Sequence, residues 1–309
     1  MNFSVTLASA ALMLLYAVPG FILIKTGIVR ENAIHNFSKL LLYVCQPCLC
    51  VYSFRQLTFS LEAVKNLAIC FALAILLQCG TVLLIYALIK KKRAEISWRI
   101  VSIAAVFSNC GFFGVPLLER LLPDHPEAVA YSCVFSLALN MLGWSLGMFV
   151  ISRDKRYIKP GKIFLNPASF GFAAAMVFFF TGFTFPAGLS FFDEAITLLG
   201  RTSSPLCMII LGMRLAAVPV KKIFSGVCQY VSVALNQLIF PLFAFGILYF
   251  LPIDPVLKTT FVILCACPVA SNVLNYAEIL GEGQEQAANT VLLGLLTSVL
   301  TVPLVCLIL

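Results

Sequence analysis

The sequence predicts an all-α, polytopic membrane protein of ten transmembrane helices, arranged as two inverted five-helix repeats with crossing, broken helices four and nine. Three observations indicate this class. Apolar residues make up 61% of the chain and charged residues 11%, whereas a soluble domain carries roughly 25% charged residues. Apolar runs recur that are long enough, at about 20 residues, to cross a bilayer as helices. The two halves of the chain also share sequence features.

Ten apolar segments, numbered here one to ten, follow one another along the chain. They cover 5–24, 34–54, 63–89, 97–118, 127–151, 166–183, 193–213, 223–250, 256–277 and 286–308. Segment one lacks a basic leader, so we interpret it as a retained helix and not as a signal peptide. We predict a single membrane domain, with a first repeat at 1–152, a short cytoplasmic connecting loop at 153–165 and the inverted repeat at 166–309.

Matching residues in the two halves indicate the repeat. Pro47 and Pro205 lie 158 positions apart, and Asn109 lies 159 positions before Pro268. Residues 127–133 read EAVAYSC and residues 285–291 read EQAANTV, again 158 positions apart. Because each half crosses the membrane five times, the second half is inverted relative to the first. Inverted repeats of this kind are typical of secondary transporters.

The distribution of basic residues predicts the orientation. With the N-terminus outside, 16 of the 21 basic residues fall in loops on the inner side and five on the outer side. The positive-inside rule therefore places both termini outside. The net charge of +8 is explained by these loops, so we do not expect a nucleic-acid partner.

Segment four carries residues that interrupt helices. Asn109, Gly111, Gly114 and Pro116 lie in its middle, where glycine costs about 1 kcal/mol and proline about 3 kcal/mol relative to alanine. Its repeat equivalent, segment nine, places Pro268 at mid-membrane. Proline there frees a backbone carbonyl and kinks or breaks the helix.

The two interruptions predict a binding site for an anion. A broken helix exposes the N–H groups of its second half, and their dipole attracts negative charge. Asn109, Ser271 and Asn272 add neutral hydrogen-bonding groups. The alternative interpretation is that these residues form ordinary proline kinks and polar contacts between packed helices.

Segments two and seven carry a further matching pair, Gln46–Pro47 and Ser204–Pro205. These residues either line the same site or only bend their helices. Arg201, one turn before Pro205, is the basic residue predicted to lie deepest in the membrane, where a charge is costly and usually functional. We expect it to line the outer approach to the site. The alternatives are that it extends outward to the surface or pairs with an acidic residue, Asp193 or Glu194.

The sequence gives little support for an enzyme or for a metal site. The GxSxG match at 143–147 lies in an apolar helix, without the strand–turn–helix context or histidine partner of a hydrolase. The 12 cysteines fall almost entirely in apolar runs, where thiols act as small apolar residues. We therefore predict no catalytic residues, metal or cofactor. No carboxylate lies at the centre of a segment, which argues against strong proton or sodium coupling.

The chain resembles the auxin efflux carrier family, in its bacterial malate/malonate permease-like branch. The resemblance covers the whole length and rests on the order and spacing of these motifs: QPCLC, SNCGFFGVPLL, NPASFGF, SSPLCMIILGMRL, CPVASNVLNYAEILG and TSVLTVPL.

The resemblance implies a permease in the bacterial inner membrane that carries small organic anions by an elevator-like motion, and a homodimer. It puts Asn109 in the first crossover and Pro268 in the second, beside Asn272. Plant members usually have a proline where this chain has Ser108, so we expect segment four to break through Gly111 and Gly114 instead.

The short central loop favours mono- or dicarboxylates over auxin as substrates. A sodium-coupled transporter of bile-acid-like amphipathic acids, with the same general fold, is the nearest alternative. A receptor or channel without alternating access is the alternative from another class.

Overall fold

The computed structural model describes residues 3–158 and 167–309, so the end of the predicted connecting loop and Asn166 lie outside the described residues. The described chain is helical, and its extended pairing amounts to one isolated β-bridge. The helices are α1 (Phe3–Lys25), α2 (Ala33–Arg55), α3 (Leu61–Leu88), α4 (Ile96–Ala104), α5 (Val115–Leu121), α6 (Glu127–Ser152), α7 (Pro167–Thr181), α8 (Ser190–Ala217), α9 (Val227–Tyr249), α10 (Pro255–Ala266), α11 (Asn272–Leu280) and α12 (Gln284–Cys306).

Seven of these helices are long and apolar enough to cross a membrane: α1, α2, α3, α6, α8, α9 and α12. Helices α7 and α10 are apolar but shorter. Predicted segment four consists of α4 and α5, and predicted segment nine of α10 and α11. The chain is thus a multi-pass membrane protein, as its composition indicated.

The breaks in segments four and nine have the same length. One covers 105–109 and the other 267–271, five residues each. The side chains in both breaks are buried except that of Ser271, which is partly exposed. In segment nine the reason is local, because Pro268 lacks an N–H and drives the preceding residue, Cys267, into an extended conformation (φ −58°, ψ 150°).

In segment four the break was predicted at the wrong residues. Gly111 and Gly114 lie in a π-helical turn, Cys110–Gly114, that leads into α5. The chain instead opens just before them, where Ser108 forms the antiparallel bridge with Val269. Because the other broken segment supplies the hydrogen-bond partners for this stretch, it opens without a proline of its own.

The helices pack in two groups. In the first, α8 lies against α1 and α2, and α2 also packs on α7. In the second, α6 contacts α3 and α10, while α9 contacts α10 and α12. Gly212 of α8 faces Ala17 of α1 so closely that a Cβ at this glycine would overlap the alanine carbonyl. The half-helices α5 and α11 lie at the junction of the groups, where α1 meets α5 and α12.

Candidate functional site

The two breaks cross each other in the buried centre of the protein. The N–H of Asn109 donates to the carbonyl of Pro268 at 2.7 Å, and the N–H of Ala270 donates to the carbonyl of Phe107 at 2.7 Å. Main-chain groups freed by both breaks therefore satisfy each other. The helices that precede the two breaks, α4 and α10, end at Ala104 and Ala266, which are 162 positions apart.

A small cavity, which we call the crossover cavity, lies against this crossing. Its volume is about 20 Å³. Six of the predicted residues line it: Gln46, Ser108, Asn109, Gly111, Ser271 and Asn272. The structure therefore brings together five of the seven predicted binding residues and one predicted hinge residue, although they come from α2 and from both broken segments.

Two helix N-termini adjoin the crossover cavity. The turn that leads into α5 begins at Cys110, and α11 begins at Asn272; both residues line the cavity. The N–H groups at a helix start lack the partner four residues earlier, and the helix dipole makes this end positive. Of these groups, Cys110 N–H already donates to the carbonyl of Ser108, and Val273 N–H to that of Ala270. An oxyanion in the cavity would receive hydrogen bonds without a fixed cation.

Asparagine side chains surround the same point. Asn272 Nδ2 donates to Asn140 Oδ1 at 3.0 Å, and Asn140 Nδ2 donates to the carbonyl of Ser136 at 2.8 Å. Asn109 Nδ2 points to the thiol of Cys207 at 3.9 Å, a weak acceptor. The Asn109 amide is therefore held more loosely than that of Asn272.

Asn140 of α6 is a site residue that the sequence analysis missed. It lines the crossover cavity together with Ser136, one turn earlier. A detectable signal exists, because Ser136, Asn140 and Trp144 follow each other at spacings of four in an otherwise apolar segment. Residues at this spacing share one face of a helix.

A larger cavity, the α11-side cavity, extends from the crossover along α11. Its volume is about 330 Å³, and it shares Gln46, Asn140 and Asn272 with the crossover cavity. Since about 20 Å³ holds little more than one water molecule, only the larger space has room for the body of an organic molecule. Gln46 Oε1 is buried there without a hydrogen-bond partner, as expected of a group that awaits a ligand.

The remaining lining of the α11-side cavity is mixed. Tyr43, Trp144 and Ile279 supply apolar walls, while Lys39 and Glu278 add one charge of each sign. The combination suits a small molecule with an apolar or short aliphatic body and a polar end.

A third cavity, the α5-side cavity, contains three further predicted residues. Its volume is about 500 Å³, and Arg201, Pro205 and Pro116 line it. Arg201 thus lies away from the crossover cavity. Its predicted alternative pairing with Asp193 or Glu194 is wrong. Asp193 forms an ion pair with Arg55, and in the described part of the chain Glu194 forms no ion pair with Arg201 within 4.0 Å.

The other predicted hinge residues have packing roles. Pro47 lies against Gly171 of α7, and Gly114 lies against Leu264 of α10. Helix α8 runs through Pro205 without a break, while α2 passes Pro47 just after a π-helical turn, Leu41–Cys45. Pro268 acts through its carbonyl, which accepts the bond from Asn109.

The GxSxG match and the cysteines also belong to the packing. Ser145 Oγ donates to the carbonyl of Met141 at 2.7 Å within its own helix, and Gly143 lies against the side chain of Tyr276. All 12 cysteines are free. Among the described residues, no three histidine, cysteine or acidic side chains are grouped as metal ligands.

Comparison with known proteins places this architecture in a family. No curated protein matches the chain. The sequence model of the family described as membrane transport protein matches residues 5–164 and 158–306, and so covers nearly the whole chain. The chain belongs to this membrane transport protein family, the family of the auxin efflux carriers.

Proposed function

We propose that the protein is a secondary transporter of small organic anions, mono- or dicarboxylates, that works by alternating access. One observation carries the proposal: two half-helix N-termini meet antiparallel at a buried crossing, beside Asn109, Asn140 and Asn272. Dipoles and amides in this arrangement suit a carboxylate, and discontinuous helices of this kind form the binding sites of many transporters.

We extend the proposal to ten transmembrane helices in two inverted repeats. Two breaks of equal length, 162 positions apart, support the repeat. The basic loops support termini on the outer side, and the resemblance supports a homodimer in a bacterial inner membrane. In this orientation the α11-side cavity opens to the inside and the α5-side cavity to the outside.

An elevator-like motion fits the two helix groups. The crossing lies with α6, α9 and α10 in the second group, whereas Gln46 on α2 belongs to the first. A shift of one group along the other would carry the crossing past Gln46, from one cavity to the other.

The test is counterflow in proteoliposomes with malate, malonate, succinate, citrate, lactate and indole-3-acetate, after a thermal-shift screen of the same compounds. A ligand that binds only the folded state raises the unfolding temperature. We expect at least one carboxylate to stabilise the protein and to show counterflow without sodium. Ser145→Ala, a change far from the proposed chemistry, should leave counterflow intact.

Two results would contradict the proposal. Flux without counterflow would indicate a channel, because a channel does not exchange one substrate molecule for another. Strict dependence on sodium, with bulky amphipathic acids as the best substrates, would favour the sodium-coupled alternative.

A further inference from the structure

The α5-side cavity lies on the opposite side of the crossing from the α11-side cavity. Helix α2 passes both: its residues up to Gln46 line the α11-side cavity, and from Leu49 onward they line the α5-side cavity. The half-helices α5 and α11 run in opposite directions from the antiparallel bridge, and each lines the cavity on its own side. The two cavities are therefore separate chambers with the crossing between them.

The charges in the α5-side cavity are unbalanced. Arg120, Arg201 and Glu119 line it. Glu119 Oε1 accepts a hydrogen bond from the hydroxyl of Tyr52 at 2.8 Å. In the described part of the chain, neither arginine has an acidic partner within 4.0 Å. Two guanidinium groups thus face one carboxylate, and that carboxylate is already hydrogen-bonded.

This excess of positive charge is costly where it lies. Arg201 comes after 11 residues of α8, a helix long enough to cross a membrane, so its charge lies well inside the span. Such charges are rare unless they face a partner or a substrate pathway. Both arginine side chains are exposed, so an anion that enters the cavity can reach them, and guanidinium groups bind carboxylates in two-pronged geometry.

We infer that the α5-side cavity is a second binding site for the transported carboxylate, with Arg201 as its main ligand and Arg120 as a weaker one. The inference rests on the proposed function. It makes the two sides of the carrier unequal, because two guanidinium groups line the α5-side cavity. The described lining of the α11-side cavity has one lysine, Lys39, and no arginine, and its Glu278 is paired with Arg214. The carboxylate reaches the crossing from the outer side past two arginines, and from the inner side past a single lysine.

The experiment compares KM at the two faces. Uptake of the best-transported carboxylate from the panel above is measured in right-side-out and in inverted membrane vesicles. In Arg201→Gln we expect KM at the outer face to rise about tenfold or more, the size of a lost charged hydrogen bond. KM at the inner face should stay unchanged, and Arg120→Gln should give a smaller rise at the outer face only.

Two matched variants control for folding and for surface charge. Arg201→Lys keeps the positive charge but not the two-pronged geometry, and should raise KM at the outer face less than Arg201→Gln does. Lys258→Gln removes a cation that does not line this cavity and should change nothing. Equal thermal unfolding midpoints show that Arg201→Gln folds, and the same assay in pure phosphatidylcholine proteoliposomes removes anionic lipid headgroups, the other source of such an anion.

The outcomes separate this inference from the proposed function. Wild-type protein without counterflow contradicts the proposed function itself. Active wild type overturns only the second site if Arg201→Gln keeps its outer KM, if KM rises equally at both faces, or if the effect disappears in phosphatidylcholine.

Discussion

At the scale of single residues, the two asparagines at the crossing differ in how they are held. Asn272 is fixed by Asn140, whereas Asn109 has only a thiol at 3.9 Å. We expect Asn272 to be a preset donor and Asn109 to turn toward the anion when it binds.

Both asparagines should matter for transport. We predict that Asn109→Ala and Asn272→Ala each lower the transport rate at low substrate concentration by about tenfold or more, because each removes a hydrogen bond to a charged ligand. Uptake into proteoliposomes, normalised to the amount of folded protein, measures the loss. Wild-type flux in both variants would move the site elsewhere.

Asn140 gives a sharper test, because its side-chain amide can be replaced by a charged carboxylate of nearly the same size. Asn140→Asp places a negative charge beside the proposed carboxylate site, and like charges at this distance in a low-dielectric interior repel strongly. We predict loss of substrate-induced thermal stabilisation and of transport at pH 7, while Asn140→Ser keeps part of both. Unchanged ligand binding by the aspartate variant would exclude the site.

The sequence predicted most residues of this site but missed Asn140. Asn109, Ser271 and Asn272 flank helix-breaking residues, and this local signal is visible in a single chain. Asn140 lies in an unbroken helix, and its role depends on contact with Asn272, 132 positions away. The only sequence signal for Asn140 is the spacing of four between Ser136, Asn140 and Trp144 in segment five.

At the scale of elements, Ser108 holds the broken end of segment four in place. Its Oγ donates to the carbonyl of Cys265 at 3.0 Å and accepts from Asn236 Nδ2 at 3.1 Å. All three residues are buried. The side chain therefore ties the first crossover to α9 and α10.

We predict that Ser108→Ala lowers the free energy of unfolding by about 1–3 kcal/mol, because the buried Asn236 amide loses its acceptor. Ser102→Ala is the control, since Ser102 Oγ bonds only within α4, to the carbonyl of Trp98. Thermal unfolding in detergent measures both. Equal unfolding midpoints for the two variants would show that the Ser108 side chain does not stabilise the protein.

The location of this break could not be predicted from local sequence. Gly111 and Gly114 are the weak helix formers, yet the chain opens at 105–109. What stabilises the open stretch is the pairing of Ser108 with Val269, 161 positions later. Helix propensity depends only on neighbouring residues and cannot reveal so distant a partner. In segment nine, by contrast, Pro268 is itself a local signal of the break.

At the scale of the whole molecule, two polar contacts join the helix groups, one on each side of the crossing. Arg214 of α8 pairs with Glu278 of α11 at 2.5 Å, and Tyr52 of α2 bonds with Glu119, in α5. If one group slides along the other during transport, both contacts must break and re-form.

Cross-linking tests this requirement. We predict that the double variant Arg214→Cys/Glu278→Cys, joined by a thiol-cleavable bis-maleimide, loses counterflow and regains it on cleavage of the linker. The wild type carries only its own cysteines, most of them buried, and should be unaffected by the reagent. A cross-linked carrier that transports at the normal rate would rule out relative motion of α8 and α11.

Composition and hydropathy predicted the class and the segments of this molecule, because both depend on the bilayer and not on contacts between residues. Cavities depend on how the helices pack, which explains why the sequence did not show that Arg201 and Asn109 line two separate chambers.

The most direct measurement is a cryo-electron-microscopy structure of the protein with its transported carboxylate bound. We predict that the carboxylate lies at the crossing, within hydrogen-bond distance of the N-termini at Cys110 and Asn272 and of the Asn109 and Asn272 amides. A substrate bound away from the crossing, with these N-termini unoccupied, would contradict the account.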